Sequence, residues 1–225
     1  LVITVGYDIA EYSPEMWNPR KDKVIVHVDF TAAEVYQHYQ PAVEVVADIS
    51  ATLREINQQL DCAPCDFDTE WYAPIRDRIR ADIASYDLKE GQPFTIPGTL
   101  NILRQIMGQD DLLLSDVGSH KIWIARNFPT YTPNGCLISN GLASMGFALP
   151  GGVAAALHNP SRRIVAAMGD GGFMMNSQEL ETAKRIGAGF TVVIFNANDY
   201  GVISWEQRKA HGRATGPAVP DPAFK

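Results

Sequence analysis

The first sixty residues alternate short, nearly continuous apolar runs with more polar stretches. Three of these runs, at 1–5, 24–30 and 43–47, have the length and the β-branched content of strands. Runs without polar interruption are typical of strands that are buried on both faces, as in a parallel sheet with helices outside it. The stretches 32–39 and 49–60 are predicted to be helical. The pattern therefore predicts an α/β arrangement for this part of the chain.

The pattern changes between residues 61 and 96. Turn-forming residues come first, then a charged amphipathic helix is predicted over 71–86, and a polar loop follows over 87–97. We interpret this stretch as the connection between two domains. The domain boundaries that follow are 1–64 for the second half of a first α/β domain, 65–95 for a linker with one helix, and 96–225 for a second α/β domain.

Strand–helix alternation resumes at about Leu100 with stronger signals. The predicted strands are 111–117, 136–139, 163–168 and 190–196. The predicted helices are 100–108, 120–126, 142–157 and 173–186. Strands alternating with helices of this length indicate a doubly wound α/β domain with a parallel sheet, in which ligands bind at the carboxyl ends of the strands.

Composition narrows the possible functions. The 225 residues are 46% apolar and 20% charged, which suits a globular core and not a disordered chain. The net charge of −7 is spread without blocks, so the sequence predicts no nucleic-acid partner and no membrane partner. Residues 127–161 lack charged side chains, but glycines and Pro150 within 141–157 favour a buried helix over a membrane span.

Cysteine usage favours a reducing setting. Three cysteines are too few for a disulfide scaffold, and the sequence does not open on a signal-peptide pattern, so we expect a cytoplasmic protein. Cys62 and Cys65 have CxxC spacing, but no second pair or histidine cluster would complete a four-ligand zinc site. We interpret them as two incidental thiols in a loop.

A glycine-rich loop follows the predicted strand 163–168 and opens a helix: Gly169-Asp170-Gly171-Gly172. Glycines let backbone N–H groups approach an anion, and the helix N-terminus attracts it. Asp170 would repel a bare phosphate unless a cation lay between them, and Mg²⁺ commonly bridges carboxylates to phosphates. The alternative is a tight turn in which Asp170 only caps the helix.

Two further loops are predicted at the same edge of the sheet. Residues 196–201, Asn-Ala-Asn-Asp-Tyr-Gly, follow the strand 190–196, and residues 116–120 follow the strand 111–117. Because the carboxyl ends of parallel strands meet at one edge, we expect the three loops to face a single ligand. The sequence therefore predicts a combined phosphate and metal site.

The triplet Gly169-Asp170-Gly171 and the Asn-X-X-X-Tyr-Gly element at 196–201 together resemble the thiamine-diphosphate signature, which runs from GDG to a pair of asparagines. Segments around it are similar to one branch of these enzymes, the acetolactate synthase catalytic-subunit group. They are 115–123 (SDVGSHKIW), 141–151 (GLASMGFALPG) and 171–183 (GGFMMNSQELETA). Residues 1–8 and 28–30 resemble the second half of that group's central domain.

The resemblance implies a site for thiamine diphosphate and Mg²⁺. The cofactor-binding residues that it implies are Gly118, Ser119, His120, Ala143, Ser144, Met145, Gly169, Gly171, Gly172, Tyr200 and Gly201. The implied metal ligands are Asp170, Asn198 and Asp199, the last through its backbone carbonyl. Met145 would be the bulky apolar residue beneath the bent cofactor, and Ile203 would lie near the substrate.

The implied reaction decarboxylates a 2-oxo acid such as pyruvate and transfers the two-carbon unit to a second 2-oxo acid, in a homodimer or tetramer. The alternatives are another 2-oxo-acid decarboxylase or oxidase of the same superfamily, and a non-catalytic cofactor-binding fragment. The family's activating glutamate lies in an N-terminal domain that no segment here resembles, so no catalytic residue is assigned. Glu179 and Glu181 are expected to have a solvated or packing role and not to replace that glutamate. We expect an interior segment of a longer enzyme, incomplete at its C-terminus and inactive when isolated.

Ala197 departs from the family pattern, which has an asparagine or aspartate ligand for Mg²⁺ at that position. A methyl group cannot coordinate a hard cation. Asn196 or Asn198 could replace the ligand, a water could fill its place, or cation affinity could fall. We predict weak Mg²⁺ binding.

Two lesser implications concern flavin and the end of the chain. Asp29 and Asp48 end strands where flavin-using relatives hold adenosine, but many relatives have lost the flavin, so FAD binding is disfavoured. The resemblance places Trp205, Glu206 and Gln207 in a mobile active-site segment, and a surface helix is the alternative.

Overall fold

A computed structural model describes residues 1–9, 12–63, 68, 70–218 and 224 of the chain. The chain divides into two compact units, Leu1–Trp71 and Tyr72–Lys225. Each unit contains a wholly parallel sheet together with helices, so the predicted α/β class is confirmed.

The first unit has a three-stranded sheet in the order β1-β2-β3. Its strands are β1 (Val2–Val5), β2 (Ile25–Asp29) and β3 (Val43–Val46), with helices α1 (Pro14–Trp17) and α2 (Ile49–Cys62). The register aligns Val5 with Val28 and Val28 with Val45. All three strands lie inside the apolar runs that predicted them.

The helix predicted over 32–39 is wrong, because this segment forms turns and a tight bridge between Tyr36 and Tyr39. Tyr39 is 1% exposed, and its hydroxyl lies 2.7 Å from Thr4 Oγ1 and 2.8 Å from His27 Nδ1. These contacts with β1 and β2 draw the segment inward. A buried hydroxyl without partners would be costly, so tertiary contacts override the local helical pattern.

The second unit has a four-stranded parallel sheet in the order β5-β4-β6-β7. Its strands are β4 (Leu112–Ser115), β5 (Cys136–Ile138), β6 (Ile164–Gly169) and β7 (Thr191–Phe195). Its helices are α3 (Ala73–Ala84), α4 (Ile96–Ile106), α5 (Ser119–Asn127), α6 (Ala148–His158), α7 (Asp170–Asn176), α8 (Glu179–Ile186) and α9 (Gly201–His211). A short 3₁₀ turn, Glu70–Tyr72, lies at the boundary between the units.

Successive side chains of β4 enter two separate cores. Leu113 packs with residues of α4 and α5 on one face of the sheet, whereas Leu112 and Leu114 pack with residues of α6 on the other. All three leucines are at most 4% exposed. Burial on both faces explains why the strand is apolar without alternation, and it confirms the doubly wound arrangement.

The strand order produces a switch point between β4 and β6. The chain leaves β4 through α5 towards β5 on one side, and it leaves β6 through α7 and α8 towards β7 on the other. Loops that diverge in this way open a crevice at the carboxyl ends of the two strands, where α/β proteins bind ligands.

The helix predicted over 142–157 is correct only from Ala148 onwards. Gly141, Ala143 and Gly146 have φ values of 69°, 48° and 84°, which no right-handed helix accepts. Pro150 lies in the first turn of α6, where a missing N–H is tolerated. No helix in the described part of the chain combines the length and the apolar character that a membrane crossing needs.

The helix predicted over 173–186 is two helices, α7 and α8, separated at Ser177 and Gln178. At the break, the N–H groups of Leu180 and Glu181 bond to carbonyls three residues back, at 3.2 and 3.1 Å. Bonds to the third residue back wind the backbone more tightly than an α-helix, so the α-helix is interrupted here.

Candidate cofactor cleft

A cleft of about 140 Å³ lies at the switch point, where the loops after β4, β6 and β7 meet. Twelve residues that the sequence singles out line it: Gly118, Ser119, His120, Met145, Gly169, Asp170, Gly171, Gly172, Asp199, Tyr200, Gly201 and Ile203. Ala143, Ser144 and Asn198 are not among the lining residues, although each lies within two residues of one. The sequence did not single out Val117, Phe195 and Val202, which also line the cleft, and Ala197 lines it as well.

Three glycines of the cleft leave no room for a side chain. A Cβ on Gly171 would lie 2.4 Å from the Tyr200 ring, and one on Gly172 would lie 2.7 Å from Asp116 Oδ2. Gly118 has φ 149° and ψ −177°, and a Cβ there would lie 2.8 Å from the His120 ring. These positions therefore exclude any larger residue, and because all three glycines line the cleft, their backbone can contact a ligand there.

Asp170 begins α7 and is 2% exposed. Its Oδ2 accepts a hydrogen bond of 2.7 Å from the backbone N–H of Asn198, which joins the loop after β6 to the loop after β7. Asn198 has φ 52°, a left-handed conformation that asparagine tolerates better than most residues. The carboxylate therefore faces the cleft with one oxygen already held.

The side chain of Asp199 is committed to a different contact. Both of its carboxylate oxygens lie 2.6 Å from Ser204 Oγ, and Ser204 is 1% exposed in the first turn of α9. This contact orients the start of α9. It leaves the backbone carbonyl as the part of Asp199 that could reach a cation, which is the role the resemblance implies.

His120 is a neutral, buried group beside the cleft. Burial lowers the pKa of its imidazole from the usual 6.5 to about 4, against the opposing effects of a hydrogen bond to the backbone of Asp116 and the charge of Asp170. The ring stacks on Phe195, with centroids 5.7 Å apart. Nε2 has no hydrogen-bond partner among the described residues. Native proteins seldom leave such an atom unsatisfied, so it points to a ligand or water in the cleft.

Asp116 lies in the loop after β4, and no role was predicted for it from the sequence. It is 0% exposed, and burial raises the pKa of its carboxyl, although backbone N–H groups led by that of Val117 oppose the shift. The only signal in the sequence was its position just after a strand of a parallel sheet. Its contacts with the segment before α6 form by tertiary packing and are invisible in the sequence.

The other predicted residues near the end of the chain lie on α9. Ile203 is 47% exposed and lines the cleft, and Trp205 is 54% exposed with Lys209 Nζ 5.1 Å from its ring centroid. Gln207 Oε1 accepts a 2.7 Å bond from the N–H of Thr215. Glu206 is exposed on the same helix.

Glu179 and Glu181 begin α8 and do not line the cleft. Glu179 is half-buried, whereas Glu181 is exposed and forms an ion pair of 3.3 Å with Arg185 one turn later. These placements agree with the solvated or packing role expected of them.

The residues present fit a diphosphate better than they fit a cation. The glycine cradle suits an anionic ligand with several acceptor oxygens, because its backbone N–H groups are donors. Neutral His120 already donates through its other ring nitrogen to the backbone of Asp116, so Nε2 is an acceptor and suits a donor group of a ligand or a water. Among the described residues that line the cleft, Asp170 is the one acidic side chain available to bind a cation, because the carboxylate of Asp199 is bonded to Ser204. Ala197 presents a methyl group. No group of three or more His, Cys, Asp or Glu with metal-binding geometry occurs among the described residues.

The two carboxylates considered for flavin serve local turns. Asp48 Oδ1 accepts a 2.7 Å bond from Ala51 N and caps α2, and Asp29 Oδ1 accepts a 3.2 Å bond from Thr31 N. The CxxC prediction cannot be placed fully, since Cys62 is exposed and Cys65 lies outside the described residues.

Comparison with known proteins identifies the cleft-bearing region. Residues 116–225 match the family described as thiamine pyrophosphate enzyme, C-terminal TPP binding domain, in which TPP is another abbreviation for thiamine diphosphate. The chain is 33% identical over 226 residues to acetolactate synthase of Bacillus subtilis (strain 168), covering 96% of this chain and 38% of that protein. It is 34% identical over 224 residues to the catabolic acetolactate synthase of Raoultella terrigena, covering 96% and 39%.

A third relative, the acetolactate synthase isozyme 1 large subunit of Escherichia coli (strain K12), is 31% identical over 183 residues, covering 81% of this chain and 32% of that protein. The chain therefore spans less than two fifths of the length of these three relatives.

Proposed function

We propose a function from one premise: this chain belongs to the thiamine-diphosphate-dependent enzymes of the acetolactate synthase group, and residues 116–225 are its C-terminal cofactor-binding domain. The proposed role is to hold the diphosphate of the cofactor in an enzyme that decarboxylates a 2-oxo acid such as pyruvate. The two-carbon unit is then transferred to a second 2-oxo acid. Bound thiamine diphosphate supplies the electron sink for the loss of CO₂.

The observation that carries the proposal is the glycine cradle at the switch point. Gly118, Gly171 and Gly172 come from two different strand ends, and a Cβ on any of them would lie under 3.0 Å from a neighbouring atom. All three glycines line the cleft, so their backbone is accessible to a ligand at the place where α/β proteins bind one, and no larger residue fits there. His120 Nε2 adds a buried polar atom without a partner.

The residues of this chain bind and orient, in this proposal, and none is assigned a proton transfer. Backbone N–H groups of the loops after β4 and β6 would hold the diphosphate oxygens. Met145 would support the organic part of the cofactor, and Ile203 on α9 would exclude water from the substrate side.

Mg²⁺ would be held by one side chain, Asp170, together with backbone carbonyls such as that of Asp199. Asn198 is a weaker candidate as a side-chain ligand, since its amide is exposed and its backbone already bonds Asp170. We therefore propose a site with low affinity for Mg²⁺. FAD is not part of the proposed function.

A second candidate function is a cofactor-binding segment that binds without turnover, which Ala197 specifically favours. A decarboxylase or oxidase of the same superfamily would use the same cleft with another acceptor. We propose a homodimer or tetramer in the cytoplasm as the setting of the complete protein, with small 2-oxo acids as substrates.

Calorimetric titration of the chain with thiamine diphosphate, with and without Mg²⁺, tests the binding role. Saturable binding that is lost in Gly171→Ala supports it, and Gly189→Ala is the matched control because nothing lies within 4 Å of its added Cβ. Absence of binding in the wild-type chain would overturn the proposal. Release of CO₂ and formation of acetolactate from pyruvate then separate an active enzyme from a segment that only binds.

A further inference from the structure

The backbone N–H and the backbone carbonyl of Gly146 are each held by a side chain that does not line the cleft. Its N–H lies 3.0 and 2.9 Å from the two carboxylate oxygens of Asp116, and its carbonyl accepts a 2.8 Å bond from Asn176 Nδ2. Asp116 follows β4 and Asn176 ends α7. Neither residue lines the cleft, whereas Met145, directly before Gly146, does. We call Asp116 and Asn176 the Gly146 clamp.

Asp116 also organises the start of α6. Its Oδ1 accepts a 2.7 Å bond from the N–H of Val117, and the N–H groups of Phe147 and Ala148 reach the same carboxylate. Helix α6 has no capping side chain from its own N-cap residue, Phe147. A buried carboxylate from another loop therefore takes the place of the missing cap and satisfies the free N–H groups of the first turn.

Two glycines make the clamp possible. Gly146 has φ 84°, and a Cβ there would lie 2.5 Å from Asn176 Nδ2. A Cβ on Gly172 would lie 2.7 Å from Asp116 Oδ2. The close approach of both clamp residues thus depends on glycine at both positions, and the path of the segment before α6 follows from it. The bonds to the Gly146 N–H hold the peptide group that joins Met145 to Gly146, and with it the backbone position of Met145.

We propose that Asp116 and Asn176 are positioning residues that fix Met145 against the organic part of the bound cofactor. The inference rests on the proposed function of the cleft. Asn176 holds the carbonyl of Gly146, so its loss should weaken recognition of the whole cofactor and spare recognition of the diphosphate. Asp116 also contacts the diphosphate-binding loops, at Val117 and at Gly172, so its loss should weaken recognition of both.

The test compares two ligands of the 225-residue chain by calorimetry, thiamine diphosphate and inorganic pyrophosphate, each with Mg²⁺. Asn176→Ala removes one amide from a half-buried position, and Asp116→Asn keeps the shape of the clamp but replaces one acceptor oxygen with an NH2 donor. We expect Asn176→Ala to lower affinity for thiamine diphosphate by about tenfold and for pyrophosphate by less than about twofold, and Asp116→Asn to lower affinity for both ligands by about tenfold. Asn159→Ala, exposed at the far end of α6, should change neither.

A double-mutant cycle shows whether the effect passes through Met145. Met145→Ala should lower affinity for thiamine diphosphate by about the same factor as Asn176→Ala, and the double variant should show little further loss. Equal losses for both ligands in Asn176→Ala, additive losses in the cycle, or unchanged affinities would overturn the positioning role. A wild-type chain that binds neither ligand would overturn the proposed function, and with it the role of the clamp.

Discussion

The loops after β4 and β6 differ from the loop after β7 in burial and in the space around them. Asp116, His120 and Asp170 are each at most 2% exposed. Asn196, Ala197 and Asn198 are all exposed. We call the first pair of loops the closed wall of the cleft and residues 196–201 the open wall.

The closed wall should tolerate few substitutions, because its glycines and its buried polar groups are in close contact. Gly118 is constrained by the His120 ring and Gly172 by Asp116. In the exposed part of the open wall, residues 196–198, the backbone is held by the bond from Asn198 N to Asp170, which does not depend on the side chain of Asn198. The comparison suggests that substitutions on the closed wall abolish the site, whereas those on the open wall adjust its affinity.

Gly118→Ala is expected to have the largest effect. The substitution combines a backbone conformation that non-glycine residues rarely adopt with a contact of 2.8 Å to the His120 ring. We expect a loss of about 3 kcal/mol in the free energy of unfolding, from strain and overpacking together. Urea denaturation measures it. Gly189→Ala, which meets open space, serves as the control. An equally stable Gly118→Ala would show that the closed wall can relax.

The closed wall should also make the stability of the chain depend on pH. Burial lowers the pKa of His120 from 6.5 to about 4, so the unfolded chain binds a proton before the folded chain does. The stabilisation is complete above pH 6.5 and is lost as the pH falls towards 4. The loss is about 3 kcal/mol.

Denaturation of wild-type and His120→Gln chains between pH 7 and 4 measures this dependence. The glutamine variant should lose most of the slope, and His158→Gln, which alters an exposed histidine, should keep it. Parallel slopes for all three proteins would contradict a buried neutral His120.

The strands of both units could be predicted because their residues are buried on both faces and so form unbroken apolar runs. The secondary-structure predictions failed where contacts between residues distant in sequence determine the backbone conformation. Tyr39 turns inward to reach Thr4 and His27, and the segment before α6 bends to reach Asp116 and Asn176. No local pattern could show either set of partners.

The cofactor cleft was also predictable only in part. Glycines and Asp170 were predictable because phosphate loops need small residues and a cation bridge at strand ends. The unsatisfied Nε2 of His120 and the bonding of Asp199 to Ser204 depend on how the loops pack together. Residue types could therefore identify the site, but not the state of each group within it.

On the open wall, Ala197→Asp should strengthen cation binding. The new carboxylate would face the cleft beside Asp170 and add an oxygen ligand of the kind that Mg²⁺ prefers. We expect affinity for Mg²⁺ in the presence of thiamine diphosphate to rise by at least about tenfold, or 1.4 kcal/mol. Calorimetry measures the gain. Ala154→Asp, which alters an exposed alanine of α6 away from the cleft, should leave the affinity unchanged. No gain in Ala197→Asp would mean that the cation lies elsewhere.

The smallest effect is expected at Asn198, where two substitutions measure the contributions of the backbone and of the side chain separately. The residue has φ 52° and bonds Asp170 through its N–H, so Asn198→Gly should preserve both stability and Mg²⁺ affinity. Asn198→Ala should cost about 1 kcal/mol of stability because alanine is strained in the left-handed region. Thermal denaturation and calorimetry on the two variants distinguish the possibilities. If Asn198→Gly loses Mg²⁺ affinity while it stays folded, then the side chain is a ligand that compensates for Ala197, and the open wall is less adjustable than its exposure suggests.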